Sequence, residues 1–279
     1  MGRFALVLLL SRIAASRSRS VDVAHLHRHG FTVVTNVFSE DEIAALRRTI
    51  VNALGSGEVR HLSVHPRGNA TKAYLRARGA EASIPDFVKV PQLDMVTALI
   101  QDPRIHAVLR QVFDGSDYRF ASHSGIQVNK CVGWHKDWLN HEYARFQTLP
   151  LFQDATGDGG HFIVKVAIYL QDHAHSDDAL TVIPGSHVVP TISVGGSEVV
   201  SLHPTIGSLV VFEQRITHRG TTKRQQKRTH GMRLLVSLGF GKRNNYTDEF
   251  ERGTVARNAD QVASATRALL ARTRKPGQA

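Results

Sequence analysis

Apolar residues recur along this chain at two different periods, and the change from one to the other divides it. Ile43, Leu46, Ile50 and Leu54 fall on one face of a helix. Ser39 and Glu42 are spaced for a capping box, Phe38 and Ile43 stand where a hydrophobic staple would form, and Gly55 supplies a stop. Residues 91–100 read as helical. Asp102-Pro103 then opens another helix, with the carboxylate as cap and proline at the first helical position. Its apolar face is Ile105, Val108, Leu109, Val112 and Phe113. Ahead of these helices, Gly30-Phe31-Thr32-Val33-Val34 has the β-branched character of a strand. After Asp114-Gly115 the period shortens to that of strands, expected at 118–122, 125–131, 161–170, 180–183, 197–202, 208–212 and 232–240. Short strands at irregular spacing suggest a barrel or sandwich such as a jelly roll. An amphipathic helix over 259–272 closes the pattern. The fold class expected is mainly β with flanking α-helices.

Residues 1–20 carry a short apolar run followed closely by Arg12, Arg17 and Arg19, a weak match to a signal peptide. A disordered extension is the preferred reading. One domain is expected over 21–272, with a disordered tail over 273–279. The basic, irregular stretch 56–90 reads as a solvated loop, with a substrate lid as the functional alternative. No apolar run is long enough to span a bilayer. Cys131 is the only cysteine, which excludes an internal disulfide and a cysteine-based zinc site and suits a reducing, cytoplasmic setting. The net charge of +11 and pI near 10.2 could draw nucleic acid, membranes or anionic substrates, or could reflect an arginine-rich proteome.

The chemistry concentrates in Gly133-Trp134-His135-Lys136-Asp137-Trp138. In extended chain, positions i and i+2 project to the same side, so His135 and Asp137 can grip one ion together. In a chain with 16 histidines an isolated His-x-Asp carries little weight. Here, however, the only two tryptophans, Trp134 and Trp138, flank the pair and would shield a metal from water. The best third ligand is His218, far downstream, so the fold must bring two distant strands side by side. Two histidines and one carboxylate form the facial triad of non-haem Fe(II) oxygenases.

Taken in order, these segments resemble the phytanoyl-CoA dioxygenase family of Fe(II)- and 2-oxoglutarate-dependent oxygenases. The resemblance runs from about Val21 to Phe240. It rests on His29-Gly30-Phe31-Thr32-Val33-Val34 with the Ser39-capped helix, on Trp134-His135-Lys136-Asp137, and on Ala179-Leu180-Thr181-Val182-Ile183-Pro184-Gly185-Ser186-His187. Gly207-Ser208-Leu209-Val210-Val211-Phe212 and His218-Arg219-Gly220 complete it. It implies a double-stranded β-helix core of jelly-roll, cupin-like type. It also implies Fe(II) as metal and 2-oxoglutarate as cosubstrate, with oxidation of a small molecule by O2 and release of succinate and CO2. Related halogenases have a small residue at the position of Asp137, so oxygen transfer is implied, in a setting such as specialised metabolism. Two features depart from many relatives: a short approach from Lys130 to His135, and Ala179 in place of glycine.

The resemblance places a 2-oxoglutarate-binding arginine shortly after the distal histidine. Arg228 and Arg233 both qualify, and Lys165 is a third cation. Alternation on the strand at 161–170 puts Phe162, Val164, Val166, Ile168 and Leu170 on one face and turns Lys165 the other way; the plainer reading of Lys165 is a snorkelling surface lysine. Alternation likewise puts Leu234, Val236, Leu238 and Phe240 against the core and Arg233 on the opposite face, which favours Arg233 over Arg228. Gln127 and Asn129 share a strand face and could donate to the cosubstrate, or be plain surface polar residues. Trp134, Trp138 and His187 are pocket candidates; His187 could equally stabilise its turn. The basic run Lys223, Arg224, Lys227, Arg228 reads as a solvated loop, or as a receiver for an anionic substrate. A zinc hydrolase could use the same two-His-one-Asp set, but the Pro-Gly-Ser-His segment and the arginines after His218 argue against it. A basic nucleic-acid-binding protein is a third reading, and no recognised motif supports it. The expected partners are a small molecule, anionic in one reading, and O2, with no membrane.

Overall fold

The structure, a computed structural model, describes residues 20–56, 81–137, 144–152, 160–226 and 231–273. All of the expected extension over 1–20 except Ser20, the tail after Thr273, Trp138, Arg228 and most of the basic loop therefore lie outside the described residues.

Asp22 caps α1 (Val23–His29) by accepting from the His25 amide at 2.8 Å. β1 (Phe31–Val34) follows, then α2 (Glu40–Ser56). The capping box forms as its spacing implies: the Ser39 amide donates to Glu42 Oε2 at 2.8 Å and the Glu42 amide to Ser39 Oγ at 3.3 Å. Gly55 does not stop this helix, which runs through it to Ser56. β2 (Ala82–Pro85) comes next, then α3 (Asp94–Thr97) between 3-10 turns, and α4 (Pro103–Val112), where Asp102 accepts from the Arg104 amide. The strands expected at 118–122 and 125–131 are one strand, β3 (Tyr118–Val128), bent by a bulge between Phe120 and Ser124. There follow β4 (Ile163–Tyr169), β5 (Thr181–Val182), β6 (Val200–Ser201), β7 (Leu209–Glu213), β8 (His218–Arg219), α5 (Lys223–Gln226), β9 (Leu234–Lys242) and α6 (Asn245–Thr273).

An antiparallel six-stranded sheet runs β1-β7-β4-β9-β3-β2, and a three-stranded sheet runs β6-β5-β8. Alternation sorts the side chains. Val164, Val166 and Ile168 of β4, with Val236, Leu238 and Phe240 of β9, join Leu46, Ile50, Ile105 and Leu109 of the helices in one core. Ala167, Tyr169, Val210 and Phe212 turn the other way and meet Leu180, Val182 and Leu202 of the small sheet. The fold is thus mainly β with flanking helices, and polar residues on the inward face of β4 and β9 point between the sheets. Among the described residues no helix is long and apolar enough to cross a membrane.

One turn ties the large sheet to α2. Gly207 has φ +78°, and its carbonyl accepts from the Val37 and Phe38 amides at 2.9 and 3.0 Å. A Cβ at Gly207 would lie 2.0 Å from the Phe38 carbonyl oxygen, a backbone atom with no freedom to move aside. Gly207→Ala is therefore expected to destabilise the fold by about 3 kcal/mol. Urea denaturation checks this, and an unchanged midpoint would show that the turn can relax.

Candidate metal centre and cavity

The far-apart histidines meet through the main chain. The His135 amide donates to the His218 carbonyl and the His218 amide to the His135 carbonyl, each at 2.9 Å, an antiparallel bridge that extends the small sheet past β8. The ring centroids stand 4.2 Å apart. Each Nδ1 is placed to donate to a carbonyl two residues upstream, His135 to Gly133 at 2.8 Å and His218 to Ile216 at 3.0 Å. That fixes the proton on Nδ1 and leaves both Nε2 lone pairs aimed inward. Asp137 Oδ1 lies 3.6 Å from His135 Nε2, and Oδ2 lies 3.8 Å from His218 Nε2. One ligand atom from each residue falls within 4.8 Å of the others. Ligands about 2.1 Å from a common ion sit about 3 Å apart when adjacent, so small side-chain adjustments complete the set. Burial holds the His218 imidazolium off, down to a pKa of about 3, so the ring is neutral and able to ligate. These residues fit a divalent cation.

Lys165 brings its Nζ within 2.6 Å of Asp137 Oδ2 from the inward face of β4. It is only 7% exposed, which corrects the surface-lysine alternative. The contact joins a buried ammonium and a buried carboxylate at ion-pair distance. Burial alone would raise the Asp137 carboxyl, but Lys165, then His218 and His135, hold it well below its usual range. On Lys165 burial outweighs the same pairing and lowers the ammonium. The two shifts do not mirror each other, and we read the pair as a firmly ionised carboxylate beside a loosely held lysine proton. Lys136, between the ligands, points away and donates to the Ser186 and Arg215 carbonyls.

The triad opens on a cavity of about 340 Å³, within the range of small-molecule sites. Arg233 lies in its wall, 9% exposed, donating to the Asp178 carbonyl at 3.2 Å and the Lys130 carbonyl at 2.7 Å. Asn129 is not part of the lining. It adopts φ +51° and accepts the Arg233 amide on Oδ1 at 2.8 Å, so it braces the arginine's backbone. Gln127 does line the cavity. His187 lies outside the lining; its Nε2 meets the His27 carbonyl at 3.1 Å and its ring packs on Gly30, the turn-stabilising placement. Trp134 also lies outside it and carries the Arg219 guanidinium 4.8 Å over its ring.

The sequence reading missed Lys130, His123, Arg257 and Asn258, all in the lining. The last two lie on α6, which begins at Asn245 and not at 259. The signal was Asn244, whose side chain accepts from the Thr247 amide at 3.2 Å as a helix cap. His123 sits over Gly239, where a Cβ would come 2.8 Å from its own Cβ. Its Nδ1 accepts from Arg257 Nη2 at 3.1 Å. Burial, then the charges of Lys165 and Arg257, push the His123 pKa well below its usual 6.5. Below that pH the unfolded chain binds a proton here and the folded chain does not. Stability is thus expected to fall with acidification, by up to about 1.4 kcal/mol per pH unit from this residue. His123→Gln should flatten the acid side of a urea-midpoint profile; an unchanged slope would show that His123 is protonated in the fold.

Comparison with known proteins bears on this arrangement. Among solved structures, the carbocyclase SnoK from nogalamycin biosynthesis superposes with TM-score 0.57 at 16% identity, covering 82% of this chain and 85% of SnoK. HygX from Streptomyces hygroscopicus, with nickel and 2-oxoglutarate bound, gives 0.56 at 17%, covering 82% and 88%. EctD from S. alaskensis, with bound Fe, gives 0.56 at 19%, covering 79% and 75%. These likenesses establish the shared jelly-roll fold. No curated protein sequence gives a significant match. The sequence pattern of the phytanoyl-CoA dioxygenase (PhyH) family matches residues 26–230, spanning both segments of the candidate triad, and the chain belongs to that family.

Proposed function

We propose that this protein is an Fe(II)/2-oxoglutarate-dependent dioxygenase that hydroxylates or otherwise oxidises a small organic metabolite. In hydroxylation one oxygen atom of O2 enters the product and in ring closure it leaves as water with two substrate hydrogens; in both the other atom enters succinate and CO2 leaves. The observation that carries this reading is the convergence of two histidines, each with Nε2 turned inward, and an ionised carboxylate on a cavity that also holds Arg233. Fe(II) held by these three residues would supply the redox chemistry that activates O2. The residues of this chain bind and orient. His135, Asp137 and His218 hold the metal, with their proton positions set by Gly133 and Ile216. Arg233 receives the distal carboxylate of 2-oxoglutarate, a role suited to a planar, permanently charged fork, and Gln127 is a further donor.

The neighbours crystallised with Fe, or with nickel and 2-oxoglutarate, support the same pair here. A carbocyclase among them keeps ring closure beside hydroxylation as an outcome and supports a setting in specialised metabolism. The single cysteine suits the cytoplasm. A zinc hydrolase would have no use for Arg233. Screening a metabolite library for substrate-dependent succinate formation with Fe(II), ascorbate and 2-oxoglutarate tests the reading. At least one compound should stimulate succinate release, and none should be turned over when Zn(II) replaces Fe(II). Zinc-supported hydrolysis without succinate would overturn it.

A further inference from the structure

Four cationic side chains, Lys130, Lys165, Arg233 and Arg257, line the cavity, against the carboxylates of Asp137 and Asp178. A divalent metal and the 2-oxoglutarate dianion cancel each other, so the loaded site keeps an excess of positive charge. The register shows where it sits. Lys165 of β4 pairs with Gly239 of β9, whereas Tyr169 pairs with Leu235, and Arg233 lies just beyond. Gly239 and Arg233 are therefore roughly 20 Å apart along one strand at about 3.3 Å per residue. The wall has a cationic pole at each end. At one, Arg233 is influenced by Asp178 and Tyr169. At the other, His123 over Gly239 meets Arg257. Lys130 reaches between the poles: its carbonyl accepts from Arg233 at the first, while its ammonium, disfavoured first by burial, is repelled by Lys165 and Arg257 and drawn by Asp137 and Glu81.

We propose that Arg257 and Lys130 form a second anion subsite, which takes a carboxylate or phosphate of the primary substrate. This rests on the proposed function, in which Arg233 is given to 2-oxoglutarate. Arg257 is presented on a rigid support. Its helix α6 is pinned to β3 by Arg119, which pairs with Asp248 at 2.5 Å and with Glu251, and by Ser122 on Glu251. Phe250 is buried beneath the same turns. A guanidinium held this way loses little freedom when it binds. Arg257 meets His123 at 3.1 Å in the same cavity wall as Lys130 and Lys165, so an anion entering there meets converging positive charge.

Inorganic phosphate is the probe, titrated calorimetrically at fixed ionic strength into protein loaded with Ni(II) and 2-oxoglutarate. Wild type should bind it. Arg257→Gln and Lys130→Gln should each weaken it by at least about tenfold, and Arg257→Lys should retain most of it. The affinity for 2-oxoglutarate should stay within about threefold in all of them, a change below about 0.7 kcal/mol. Equal phosphate binding by wild type and both glutamine variants would overturn the proposal. So would a tenfold loss of 2-oxoglutarate affinity in Arg257→Gln, since the pole would then belong to the cosubstrate. If wild type fails to bind 2-oxoglutarate yet binds phosphate through Arg257, the proposed function falls and the anion subsite stands.

Discussion

Asp137→Ala, His135→Ala and His218→Ala are each expected to abolish Fe(II)-dependent turnover, and the three should differ in what they do to the fold. Losing an outer-shell partner already costs about 10- to 100-fold in metal affinity, so losing a ligand should cost more than about 100-fold. The histidine variants remove rings whose Nδ1 partners are backbone carbonyls, and the His135–His218 main-chain bridge survives either change. They should stay folded. Asp137→Ala is different because it leaves the Lys165 ammonium buried without its carboxylate. Breaking a buried pair from one side typically costs about 3–5 kcal/mol, less where the remaining group can shed its charge. Burial already favours the neutral amine at Lys165, so the loss should fall at the low end, about 3 kcal/mol. The double variant Asp137→Ala/Lys165→Met should recover most of that stability with no recovery of turnover. Metal titration, urea denaturation and succinate release separate these effects. Normal turnover in any single variant removes that residue from the centre, and no rescue by Lys165→Met means the pair does not carry the stability difference.

The convergence of His135, Asp137 and His218 was readable from the sequence because its geometry is mostly covalent. A two-residue spacing in extended chain settles that His135 and Asp137 face together, and His218 needed only a strand to bring it alongside. Alternation also placed Lys165 and Arg233 on inward faces. It could not say what they meet there, because each partner comes from a distant part of the chain: Asp137 for Lys165, and the carbonyls of Lys130 and Asp178 for Arg233. Asn129 reads as a strand-face donor until its positive φ turns its amide onto the Arg233 backbone. Arg257 was missed for another reason. Residues 245–258 are polar and charged and lack a clean apolar stripe, yet their buried face packs on a sheet and a polar cavity, where Thr254 and Asn258 are buried. β2 was hidden because a four-residue edge strand ending in proline, in a basic stretch, resembles a loop.

Arg233→Ala is expected to raise the 2-oxoglutarate requirement by at least about 30-fold. The guanidinium lies in the cavity wall, on the same inward parity as Leu235 and Ser237, while Leu234, Val236 and Leu238 are buried on the helix side. Two carbonyls already hold its nitrogens, and Asn129 clamps its backbone through the amide to Oδ1 and the carbonyl to the Asn129 amide at 2.9 Å. A cation fixed before its ligand arrives gives up little entropy on binding. Burial lowers its pKa, with Asp178 opposing, yet an arginine stays protonated under such pressure, so its charge is always present. Truncating one partner of a buried charged contact costs about 2–5 kcal/mol, or roughly 30- to several-thousand-fold in affinity. Arg233→Lys keeps the charge but loses the fork and should fall between. Alanine also strips the donors from the Asp178 and Lys130 carbonyls, so the lysine variant guards against reading a loosened fold as a lost contact. Anaerobic titration of 2-oxoglutarate into Fe(II)-loaded variants decides it. If Arg233→Ala binds normally while Lys165→Ala or Arg228→Ala shows the large loss, the cosubstrate lies at the other pole or on the 223–228 run, and the inward face of β9 serves something else.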